Sequence, residues 1–359
     1  MGKLGRVSVA VVAVATMCSS LSVAHALPRK LEAKVYKSGL RFPVDLAWVP
    51  GTKKLFFTEK AGRIRVLEGR RLLGRPCANL DVNASGERGA LGIALHPRFK
   101  DNRFLYVYYT NASPLENRVT RFKVRRNRCR RAKHVVRGIP SPSTIHQGGQ
   151  LEFVKNALFV AVGDGGNPST AQDLQSRLGK ILRYKSNGTI PRGNPFSQPG
   201  NRSPVWSYGH RNPFGLTHKP RTSVLLETEN GPACDDELNR IRKGRNYGWG
   251  AGYQCGTAGV GVNPKRPLHR WSPPIAPTDP AWYIGPLKAL SGAMYVGDFN
   301  VEKLRRFNFR PGVGRVRSTR PILQSSRQIT DVTKGPGGCL YWATVATINR
   351  IQRKATNRC

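Results

Sequence analysis

Short apolar runs alternate with polar positions along most of this chain, and no long apolar stripe of period 3.6 competes with them. Period-two alternation marks strands buried on one or both faces. One unit recurs: an apolar, often aromatic strand, a tight turn, then a second strand with an Arg-apolar pattern. It reads as Leu55–Thr58 with Gly62–Leu67, Leu105–Thr110 with Val119–Val124, and Leu158–Val162 with Lys180–Tyr184. A weaker copy is Val224–Glu227 with Leu238–Ile241; Met294–Val296 with Leu304–Phe309 and Leu340–Ala343 with Ile348–Ile351 follow. Short alternating strands precede most copies, among them Val44–Trp48, Leu91–Leu95, Gln150–Phe153 and Ile329–Val332. Units of this kind, spaced roughly 45 to 70 residues apart, predict an all-β, six-bladed β-propeller. A propeller gathers loops from all its blades at one end of a central channel, so residues distant in sequence meet there.

The N-terminus changes the picture of compartment. Lys3 and Arg6 precede the apolar run Val7–Cys18, and Ala24-His25-Ala26 has the small-x-small form of a cleavage site. Residues 1–26 read as an export signal and 27–359 as the propeller domain, periplasmic or secreted. No later segment is apolar enough to span a membrane, so an integral membrane protein is not expected. Beyond Cys18, six cysteines remain, an even number that favours disulfides in an exported chain; six allow 15 pairings, and Cys234 with Cys255 is the most local.

Charge narrows the partners. The chain carries 60 Lys and Arg against 20 Asp and Glu, a net +40 that becomes +38 once Lys3 and Arg6 are removed. Such a surface attracts polyanions, which for an exported protein include anionic envelope polymers. The densest cluster, Arg125–Lys133, lies between two strand-like segments and reads as a solvated hairpin. It has no interleaved aromatic residues, so a specific nucleic-acid platform is not indicated.

Candidate chemistry centres on residues 207–249. In so basic a chain, three consecutive acids, Asp235, Asp236 and Glu237, stand out, and they follow a Gly231-Pro232 turn whose carbonyls can point outward. Carbonyl and carboxylate oxygens suit a hard cation such as calcium. Arg211, before the turn-like Asn212-Pro213, suits an anionic ligand. Together they suggest an anionic cofactor bound through a metal; a polar loop with a structural calcium, or with no metal, fits the same residues. His146 sits in a Gly-rich turn ahead of a strand, where a neutral imidazole can act as a base. His96 and His210 read as structural, and Glu87 precedes another inner strand. The chain has no Gly-x-Ser-x-Gly elbow, no His-Glu-x-x-His motif and no phosphate-cradling Gly loop.

These segments carry a resemblance. Phe57–Arg65, Gly89–Pro97, His146–Gly149, Ala171–Leu174, Leu178–Arg183, Gly209–Pro213, Asp236–Asn239 and Asn246–Trp249 occur in the order found in soluble quinoprotein glucose/sorbosone dehydrogenases, also called aldose sugar dehydrogenases. The resemblance implies a six-bladed propeller binding pyrroloquinoline quinone (PQQ) and calcium, and oxidising an aldose sugar at its anomeric carbon to the lactone, with electrons passed to an external acceptor. By motif, His146 takes the role of base, and Glu87, Arg211 and Asn212 hold the cofactor. The carbonyls of Gly231 and Pro232 hold the calcium on the quinone, while Glu237 and the carbonyl of Tyr247 match a second, structural calcium. The chain departs from the family at Glu87, where Gln is frequent, and at Ile145, where the glucose dehydrogenases have Asp. After Ile275–Pro277 a cofactor-binding Lys has no clear counterpart; Ile284 is nearest by spacing and Lys288 is next. Two other classes remain open: a non-catalytic propeller that binds anionic polymers or a protein partner, and a calcium-dependent lactonase.

Overall fold

A computed structural model describes residues 27–359, so the expected export signal at 1–26 lies outside the described residues. The fold is all-β and propeller-like, and the two α-helices among the described residues are four residues each. All six recurring strand pairs form antiparallel hairpins: Lys54–Glu59 with Arg63–Glu68, Phe104–Asn111 with Glu116–Arg125, Ala157–Val162 with Lys180–Lys185, Leu225–Glu229 with Asp236–Ile241, Ala293–Asp298 with Lys303–Phe309, and Leu340–Thr344 with Ile348–Arg353. Each hairpin is flanked on its inner side by a further strand: Pro43–Trp48, Ala90–Leu95, Leu151–Val154, Pro213–His218, Pro277–Tyr283 and Ile329–Lys334.

The strands assemble into three four-stranded sheets, one five-stranded sheet and one eight-stranded sheet. The last consists of two antiparallel runs joined by a single parallel pairing, Asp279 opposite Asp331. Its outer edge is Leu31–Lys37, which pairs antiparallel with the C-terminal strand Ile348–Arg353.

Period two decides the packing because successive side chains of a strand face opposite sides of its sheet. Leu55 and Phe57 pack with Tyr341 and Ile351 on one side, while Phe56, between them, packs with Ile93, Leu105 and Val107 on the other. Leu105, Val107 and Tyr109 likewise join that second cluster, and Tyr106 and Tyr108 join a third with Leu151 and Val160. Each sheet is thus buried on both faces between its neighbours. Leu55, Phe56 and Phe57 are all fully buried; truncating one such Phe to Ala typically costs about 3–5 kcal/mol.

Three disulfides staple the loops: Cys77–Cys129, Cys234–Cys255 and Cys339–Cys359. The basic segment forms a hairpin turning at Arg126 and Asn127, both in left-handed conformation. Its continuation, Arg128–Lys133, belongs to the long outer strand Arg128–Pro140. No helix of the described residues is long and apolar enough to cross a membrane.

Candidate active site

The candidate residues sit where chain enters an inner strand or turns between the two strands of a hairpin, and these positions share one end of the channel. Glu87 precedes Ala90–Leu95, His146 precedes Leu151–Val154, and Arg211-Asn212 precede Pro213–His218. Gly231-Pro232 fill the turn between Leu225–Glu229 and Asp236–Ile241.

Hydrogen bonds join them. Glu87 Oε2 accepts from the backbone N–H of His146 at 2.8 Å and from the Asn212 amide at 3.1 Å. Asn212 Oδ1 accepts from the Gly148 N–H at 3.1 Å. The Arg211 guanidinium donates to the Asn230 carbonyl at 2.9 Å and lies 5.4 Å from the centre of the Trp249 ring. Its backbone N–H donates to Glu229, which also holds the buried His210. Burial lowers the guanidinium pKa, opposed first by Asp164, then by Glu229, Glu87 and Asp236. The guanidinium keeps its proton and, with one side-chain hydrogen bond among the described residues, has donors to spare for an anion.

His146 is buried and has a left-handed backbone, φ 54°. This conformation is uncommon for a residue with a side chain, and the neighbouring glycines accommodate it: a Cβ on Gly163 would collide with the His146 carbonyl. Its Nδ1 lies 2.6 Å from Asp164 Oδ1. Asp164 is fully buried and also accepts from the Gly166 N–H at 2.8 Å and from the Trp249 indole at 2.8 Å. In the neutral ring, an acceptor carboxylate at Nδ1 selects the Nδ1–H tautomer, which puts the lone pair on Nε2. Among the described residues, nothing hydrogen-bonds Nε2.

Sequence reasoning missed Asp164 and Trp249 as site residues. The available signal was an acid in the Gly163–Gly166 turn directly after an apolar strand. It also missed Lys60, whose amine donates to the Ala84 carbonyl; burial lowers its pKa, opposed by the charge of Glu87. Lys288 is not at this end of the channel. It lines a cavity with Pro28–Leu31 and Arg353–Ala355.

The three consecutive acids diverge. Asp236 accepts from the N–H groups of Gly231, Ile275 and Ala276 at 2.8, 2.6 and 2.7 Å, which orders the Gly231-Pro232 turn; burial nonetheless raises its pKa. Asp235 accepts from Tyr253 at 3.2 Å inside the loop closed by Cys234–Cys255. Glu237 faces Arg270 Nε at 3.2 Å and the Asn239 amide at 3.2 Å, and burial pushes its pKa up to about 7. The Tyr247 ring stacks on His210 at 4.8 Å. The carbonyls of Gly231 and Pro232 accept no hydrogen bond from any described residue, so both are free for a cation.

This chain matches the family model for glucose/sorbosone dehydrogenase over residues 40–353 and belongs to that family of oxidoreductases. It is 30% identical to the aldose sugar dehydrogenase YliI of Escherichia coli, over 90% of this chain and 92% of that protein. The solved apo-form of the soluble aldose sugar dehydrogenase from Escherichia coli superposes with a TM-score of 0.82 at 28% identity, covering 90% of this chain and all of that one, 100%. The PQQ-bound aldose sugar dehydrogenase of Streptomyces coelicolor gives a TM-score of 0.78 at 29% identity, covering 91% and 99%.

Proposed function

We propose that this protein is an exported quinoprotein that oxidises an aldose at its anomeric carbon to the lactone, with PQQ and calcium, and passes the electrons to an external acceptor. The observation that carries this reading is the His146–Asp164 pair, wired through Glu87 and Asn212 to the Arg211 segment. Bound PQQ would supply an electrophilic quinone that accepts hydride. His146 Nε2 takes the hydroxyl proton from the anomeric carbon's substituent, and Asp164 stabilises the imidazolium that forms. Arg211 offers its free donors to developing negative charge, and Asn212 helps orient the cofactor. Glu87 is occupied by two N–H donors, with Lys60 nearby, which limits its repulsion of an anionic cofactor.

The free carbonyls of Gly231 and Pro232 suit the cofactor's calcium. A second calcium at Glu237 and the Tyr247 carbonyl would have to displace Arg270 from the carboxylate. We read the eight-stranded sheet as two blades meeting at its single parallel pairing, for a six-bladed propeller in one domain over 27–359. Purified protein mixed with PQQ and calcium should reduce a redox dye with one or more aldoses and bleach the quinone absorbance. Lactone hydrolysis without any quinone change would instead identify a lactonase.

A second reading concerns the surface. A groove of about 620 Å³ is lined by Lys54, Arg103, Lys123, Arg125, Arg130 and Arg131, among others. The groove and the net charge favour anionic envelope polymers as a docking partner alongside catalysis. Retention on heparin or lipopolysaccharide should be lost with salt, since charges are screened over about 10 Å at 0.1 M, while PQQ binding survives that salt. Retention with no PQQ binding at all would make polymer binding the whole function.

A further inference from the structure

Three inner strands carry an aspartate at the same place. Asp45, Asp279 and Asp331 are each the third residue of Pro43–Trp48, Pro277–Tyr283 and Ile329–Lys334. Equal positions on strands that run side by side down the channel converge, and Asp279 and Asp331 are direct partners in the one parallel pairing. One carboxylate oxygen from each lies within 4.8 Å of the other two.

The cluster lacks compensation. Asp331 is 1% exposed, and among the described residues neither of its carboxylate oxygens makes a well-formed hydrogen bond; its nearest polar neighbours are the Asp279 carboxyl and the N–H groups of Leu46 and Val332, none in good hydrogen-bond geometry. Asp45 accepts from the N–H groups of Leu46 and Ile93, both at 2.7 Å, and Asp279 from that of Leu216 at 2.8 Å. Each of those oxygens keeps a second lone pair. In a chain with 60 Lys and Arg, no described Lys or Arg forms an ion pair with any of the three. Buried carboxylates without a counter-charge are costly. Burial raises the pKa of all three, Asp45 to about 7; repulsion from Glu152 adds to this at Asp45, from Asp331 and Asp45 at Asp279, and from Asp45 at Asp331.

We propose that Asp45, Asp279 and Asp331 form a divalent-cation site of the calcium class inside the channel, separate from the Gly231-Pro232 turn. The donors are all oxygen, which selects hard cations and disfavours zinc. Calcium takes 6–8 oxygens at about 2.3–2.6 Å in irregular geometry, so ligand oxygens on opposite sides of it are roughly 5 Å apart, as this cluster allows. A cavity of about 510 Å³ lined by all three aspartates supplies the entry path and room for water ligands. It extends along the later residues of the inner strands, such as Trp48, His218 and Lys334, away from the end holding Arg211 and His146. The ion clips the first inner strand to the last two.

The test counts ions on chelator-stripped protein without PQQ, by equilibrium dialysis against calcium and metal analysis. Wild type is compared with Asp331→Asn and with the milder Asp279→Asn, whose side chain is only half-buried. Cations held elsewhere cancel, because the proteins differ only at the cluster. The wild type should bind one more calcium per chain than either variant, and calcium should raise its thermal midpoint by several degrees more. Equal ion counts, or variants that gain stability while calcium shifts all midpoints alike, would overturn the site and leave a cluster of proton-sharing acids. If neither variant folds, terbium added to wild type decides between the two. Luminescence excited through Trp48 and Trp282, which line the cavity, and lost on adding calcium supports the site; its absence rejects it.

Discussion

His146 Nδ1 and Asp164 Oδ1 are 2.6 Å apart, although they are 18 positions apart in the chain with two strands between them. His146→Ala should lower turnover by about 10²–10⁴-fold with folding and PQQ binding retained. Asp164→Asn should also lower turnover by roughly two to four orders of magnitude, because an amide at that place no longer enforces the tautomer. Steady-state kinetics with a saturating sugar checks both. Unchanged turnover in either variant would reduce the pair to a structural contact.

Among the described residues Arg211 makes one side-chain hydrogen bond, to Asn230, and the proposed function gives its remaining donors to the cofactor. Arg211→Ala should therefore weaken PQQ binding by about 1.5–3 kcal/mol, the usual range for hydrogen bonds to charged groups. Titration of the quinone absorbance reads this directly. Equal affinity would place PQQ elsewhere.

The Cys234–Cys255 bridge closes a loop with a separation of 21 residues next to the Gly231-Pro232 turn. Replacing both cysteines with serine should cost about 2–4 kcal/mol of stability and loosen calcium-dependent cofactor binding. Denaturant unfolding measures the first effect, and PQQ titration with and without calcium measures the second.

His218 Nδ1 is hydrogen-bonded to Glu152, and that bond raises the imidazole pKa above 6.5, against the opposing effect of burial. The folded state then binds more protons than the unfolded state just above pH 6.5. The pair's stabilisation is complete below that pH and is lost as pH rises through the raised value. Between about pH 6 and pH 8 the wild type should lose more stability than Glu152→Gln. Parallel stability profiles would show that the pair carries no proton linkage.

Sequence patterning exposes the repeat because every hairpin is buried on both faces, so its alternation survives in one dimension. The strand pair Val224–Glu227 reads as weak because its register runs on to Glu229, an acid that serves Arg211 and His210 rather than the core. Asp164 is hidden for a different reason. Its partners, His146 and Trp249, come from other turns, and only ring geometry brings them together. The same holds for Cys77–Cys129, where the bridge depends on a loop lying along the neighbouring hairpin; the Cys129 N–H donates to the Cys77 carbonyl at 2.9 Å. Local pairings such as Cys234–Cys255 need no such knowledge.

The pairing of Leu31–Lys37 with Ile348–Arg353 joins the earliest and latest residues of the fold. A ribosome that has made all but the last strand has produced a chain with nothing to bond to Leu31–Lys37. Closure of this sheet must therefore bring together segments more than 300 residues apart in the chain, a slow class of contact.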